Sequence, residues 1–117
     1  MKENLIKSKS FSFALRIIKL YQHLTDNKKE FVMSKQALRS GTAVGALVRE
    51  SEHAESKADF IHKLSIAQKE ANETDYWIEL LYQSGYIDEP LFLSFSSEVK
   101  ELIKIIAAII ITSKAKK

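Results

Sequence analysis

Apolar residues return at steps of three and four along nearly the whole chain, a period that strands cannot use and that amphipathic helices packed around a core require. In the first such segment, about residues 10–24, Phe13, Ile17, Leu20 and Leu24 form the stripe. Phe11, Ala14, Leu15, Ile18 and Tyr21 broaden it, while Lys9, Ser12, Arg16, Lys19 and His23 lie on the other side. The polar stretch Met1 to Ser12 lacks the apolar run of a signal peptide and reads as a short solvated arm entering the helix. Thr25 to Lys29, with its Asp-Asn pair, suits a turn.

A second helix is expected over about 34–53, with Ser34 as its N-cap. At about 100° per residue, Ala37, Leu38, Gly41, Val44, Gly45, Val48 and Glu52 share one face. Two glycines inside a helix cost about 1 kcal/mol each relative to alanine, so close approach of a neighbouring helix is the expected compensation. The third helix, about 56–84, begins at Ser56 and Asp59, a capping box with Asp in place of Glu, and stops at Gly85. Its core stripe is Phe60, Ile61, Leu64, Ala67, Ala71, Ile78 and Tyr82. Nearly opposite lie Ile66, Trp77 and Leu80, a second apolar side that one bundle does not need.

The fourth helix, about 89–113, has Asp88 as N-cap and Pro90 in its first turn. Leu91, Phe92, Phe95, Val99, Leu102, Ile103, Ile106 and Ile110 make its stripe, with Ile105, Ile109 and Ile111 beyond it. The β-branched run Ile109 to Thr112 is compatible with a strand but continues the helical stripe without a break. Short connections imply antiparallel neighbours, so residues 1–117 are expected to form one all-α, up-down-up-down four-helix bundle. The surplus apolar positions Ile66, Trp77, Leu80, Ile105 and Ile109 mark an expected interface between copies.

Composition closes several functional classes. Without cysteine there is no disulfide framework, thiolate metal site or cysteine nucleophile, and the compartment expected is the cytoplasm. The longest apolar run, Leu102 to Ile111, contains Lys104 and is half the roughly 20 residues of a membrane span. No phosphate-binding loop or nucleophile elbow occurs. The best catalytic candidates are Glu50 with His53 and Asp59 with His62, at the i, i+3 spacing of carboxylate-bridged metal bundles. Glu50 and His53 lie about 180° and 120° from the Gly41 face, whereas such ligands must project inward, so solvated polar residues are the simpler account. No cofactor, metal or small-molecule substrate is therefore expected.

The net charge of +3 hides a segregation. Residues 1–49 hold ten Lys/Arg and three Asp/Glu, residues 50–101 hold four against twelve, and residues 102–117 hold four Lys and no acid. Such a pattern suits either a phosphate-binding surface or a basic helix beside an acidic one. Lys9, Arg16, Lys19, Lys35, Arg39 and Arg49 are the candidate phosphate contacts, and a solvated outer face is the plain alternative.

Phe31 to Glu50, Ala54 to Ala71, Glu73 to Leu81 and Ser84 to Ile87 closely resemble the bacterial four-helix family known as S23 or ribosomal-RNA intervening-sequence proteins. The resemblance implies a left-handed bundle assembled into a ring, typically a pentamer, with no enzyme activity. Relatives include proteins encoded within intervening sequences of large-subunit ribosomal RNA genes, and accessory proteins of diversity-generating retroelements that bind nucleic acid and a reverse transcriptase. It places Arg39, Arg49, Lys57 and Lys63 at the family's basic positions and Trp77, Leu80 and Leu81 in its aromatic-aliphatic block. The retroelement proteins are markedly more basic than this chain. Together these observations predict a non-enzymatic homo-oligomer whose partner is RNA or DNA, or a nucleoprotein containing a reverse-transcriptase-like protein. A protein-interaction scaffold without nucleic acid is the alternative.

Overall fold

The helices end where backbone groups find caps. In the computed structural model, which describes residues 2–116 apart from the side chain of Lys2, the elements are α1 (Lys2–Asp26), α2 (Met33–Ser51), α3 (Lys57–Gln83) and α4 (Glu89–Ala115), with no strand among the described residues. The segment Ile109 to Thr112 is helical.

The first helix starts eight residues earlier than its apolar stripe suggests. Ile6 and Ser10 are buried, so one more turn of core contact holds the stretch expected as a solvated arm in helical form. The start of α2 also departs from expectation. Ser34 lies inside the helix, where its hydroxyl donates to the Glu30 carbonyl at 2.8 Å. The cap is the Glu30 carboxylate, which accepts from the N–H groups of Val32 (3.0 Å), Met33 (2.9 Å) and Ser34 (2.7 Å). Three otherwise orphaned donors of the first turn are thereby satisfied by one side chain.

The other caps follow the sequence more closely. Ser56 Oγ accepts from the Asp59 N–H at 3.0 Å, but Asp59 returns its bond to the N–H of Glu55, one residue before the cap, at 3.2 Å. At the end of α3 the Gly85 N–H donates to Tyr82 and the Tyr86 N–H to Leu81, with Gly85 at φ +87°, the two-bond Schellman closure. Asp88 caps α4 through the Leu91 N–H at 3.0 Å.

Around one core, α1 packs on α2 and α4, and α3 packs on α2 and α4. Phe13, Ile17, Leu24, Val44, Leu64, Ile78, Leu81, Val99, Leu102 and Ile106 are its fully buried centre. Phe13 and Phe95 meet edge to face at 6.0 Å. The molecule is 50 Å long and about 20 Å across, and its helices of 27 residues span about 40 Å of that length at about 1.5 Å rise per residue.

Candidate interaction surfaces

The two glycines of α2 bring α1 close. A Cβ at Gly41 would lie 2.9 Å from Ile17 Cγ1, and one at Gly45 would lie 3.4 Å from the Ser10 carbonyl oxygen. On the other flank of α2, Thr74 Oγ1 of α3 sits 2.8 Å from Ser40 Oγ in a buried hydroxyl pair. These contacts set the heights of the helices. Ile17 lies level with Gly41 and Ser40 with Thr74.

Four cations of the basic first segment meet carboxylates of the acidic second one. Lys9 of α1 pairs with Glu101 of α4 at 3.3 Å, and Arg16 pairs with Glu98 while its guanidinium lies 4.1 Å from the centre of the Phe95 ring. Arg39 of α2 bridges to Glu70 at 3.2 Å and to Glu73 of α3, which also accepts from Trp77 Nε1 at 2.9 Å. Lys7 pairs with Glu52, and Lys63 with Glu50. Of the six candidate phosphate contacts, Lys9, Arg16 and Arg39 are thus already engaged with carboxylates. Arg49 lies over Phe11, its guanidinium 5.2 Å from the ring centre. Lys19 and Lys35 are exposed and make no ion pair among the described residues. Lys19, Arg16 and His23 rim a hollow of about 230 Å³ floored by Leu20, Leu91 and Phe95.

The expected interface residues divide. Ile66, Trp77, Leu80 and Ile105 are half-buried, so each keeps surface for a partner. Ile109 does not: it is 4% exposed and belongs to the core of its own chain. The largest apolar surplus lies on α1 instead. Phe11 (51% exposed), Leu15 (49%) and Ile18 (38%) form an outward strip about 100–180° from the buried Ile6 and Ile17. Phe11 and Ile18, with Ala14, Thr42 and Ala46, wall a groove of about 290 Å³ between α1 and α2. The signal was present in the spacing of 11, 15 and 18, but those positions read as the flank of a broad stripe.

The residues of the metal alternative are scattered. Glu50 is paired with Lys63, Asp59 caps α3, and His53 and His62 are exposed. Among the described residues no three His, Asp or Glu side chains converge on a point that could hold a metal ion, and no helix is long and apolar enough to cross a membrane.

An all-α protein of four helices, carrying interhelical ion pairs and an exposed apolar strip, is the class that fold and surface define. Residues 2–108 match the family model of the 23S rRNA-intervening sequence protein, and the chain belongs to that family. It is similar to a crystal structure from Bacteroides thetaiotaomicron described as a protein with unknown function from the S23 ribosomal protein family. The two share 54% identity and a TM-score of 0.93, over 94% of this chain and 98% of that one. No functionally curated protein matches the chain.

Proposed function

We propose that this protein is a non-enzymatic scaffold, an up-down-up-down bundle that assembles from several copies of itself and holds a macromolecular partner. The outward strip of Phe11, Leu15 and Ile18 carries this reading, since a surface helix ordinarily keeps one apolar face and turns polar residues to water. The alternating helix directions are supported by pairings between opposite ends. Lys7 near the start of α1 meets Glu52 after α2, and Lys57 at the start of α3 reaches the Lys116 carbonyl after α4. A ring, with five copies as the family resemblance implies, uses up the exposed strips without leaving an edge. Light scattering on the purified protein is expected to give one closed oligomer, and a monomer at micromolar concentration would remove the assembly.

A second reading, contact with RNA, DNA or a nucleoprotein, is supported by Lys19, Lys28, Lys29 and Lys35, which are exposed and free of ion pairs among the described residues. Such a surface contacts phosphate without reading bases. Mobility-shift titrations should then lose about a hundredfold in affinity between 50 and 200 mM salt for about four phosphate contacts. Absence of any shift at low salt leaves the scaffold alone.

A further inference from the structure

The exposed strip of α1 and the half-exposed second side of α3 are different surfaces on different sides of the molecule. We infer that they are the two halves of one contact, the α1 strip of one copy seating on the outer face of α3 of the next. This rests on the assembly proposed above and names its surfaces.

Three observations support the pairing. First, apolar side chains are available on both. Ile18 and Leu15 stand out from α1, while Tyr76 is 56% exposed on α3 beside the half-buried Trp77 and Leu80. Tyr76 and Trp77 pack edge to face at 5.1 Å, a preformed aromatic surface of the kind that anchors interfaces. Second, the charges oppose. From Glu70 to Gln83, α3 holds no Lys or Arg; Arg39 of the same chain engages Glu70 and Glu73, so the charge left for a neighbour is that of Glu79, whereas Lys35, five residues before Ser40 on α2, has no carboxylate of its own. Glu79 is likewise exposed and unpaired among the described residues.

Third, the heights agree. Ile17 is level with Gly41, and Ser40 with Thr74, so Ile18 and Tyr76 lie within about one helical turn of each other along the molecule. Rotation about an axis parallel to the helices preserves height. Two unlike patches at one level therefore meet under such a rotation and generate a head-to-tail ring, whereas a two-fold dimer would bury the α1 strip against itself.

The absence of cysteine makes the test direct. Ile18→Cys and Tyr76→Cys are placed at exposed sites, singly and together, and each variant is checked by circular dichroism and light scattering before mild oxidation. The head-to-tail contact predicts no cross-link in either single variant, a covalent dimer when the two are co-expressed, and a ladder of multimers from the double variant. An oligomer in which Ile18→Cys cross-links to itself, or in which the co-expressed pair gives no dimer, overturns this pairing while leaving assembly intact. A monomeric wild-type chain overturns assembly and pairing together.

Discussion

Gly41 and Gly45 occupy equivalent positions one turn apart in α2, and the structure separates their roles. At Gly41 an added methyl would press within 2.9 Å of Ile17, a branched and fully buried side chain with little room to yield. Gly41→Ala is expected to lower unfolding free energy by about 1–3 kcal/mol in denaturant titrations, overpacking outweighing the gain in helix propensity. Gly45→Ala meets only ordinary contacts of 3.4 Å or more, so the propensity term should dominate and raise stability by up to about 1 kcal/mol. Glu30 supplies a pH signature. Burial pushes its carboxyl up, but the N–H donors of Met33, Ser34 and Val32 outweigh that and hold it below its ordinary value of 4.5. A lowered carboxyl stabilises the fold above the unfolded value, and that contribution disappears as pH falls through the folded one. Glu30→Gln should cost about 1 kcal/mol near neutral pH and converge on wild type as pH falls through the lowered folded value, as followed by chemical denaturation across pH.

Between helices, the decisive interactions join residues far apart in the chain. Charge counting leaves open whether the basic first half meets phosphate or the acidic second half, because sequence gives no distance between Arg16 and Glu98 or between Arg39 and Glu70. Packing α4 beside α1 and α3 beside α2 brings these groups into contact. Exposed pairs of this kind contribute about 0–1 kcal/mol each, so their consequence is for recognition more than for stability. The buried hydroxyl pair of Ser40 and Thr74 is worth more per bond. Thr74→Val should cost about 1 kcal/mol by thermal unfolding, with the Ser40 hydroxyl still served by the Gln36 carbonyl at 3.1 Å. The helix ends divide in the same way. Asp88 and Gly85 were legible because each stands at the position where its residue type usually caps, while Glu30 was not, since it lies two residues before the N-cap position Val32 and its carboxylate reaches back over the first turn.

For the whole molecule, the expected assembly makes a prediction separable from folding. Ile18→Asp places a charge where the structure has an exposed apolar side chain, so the secondary structure should survive while the oligomer breaks up in light scattering. Four helices, their order and most of the core follow from local chemistry, since a period of three and four residues together with short-range caps decides which segments coil and which face turns inward. Membership of the intervening-sequence family was likewise legible, as it rests on runs of residues. What α1 leaves in water was not. Phe11, Leu15 and Ile18 lie beside the buried stripe on paper, and Ile109 lies beside an outer one, yet the first three are exposed and the last is buried. Burial depends on where neighbouring helices stand around each axis, and that angle is set only when all four pack together. The sequence alone therefore determined the helices and their inward faces, whereas tertiary packing decided which apolar residues and which charges remain for a partner.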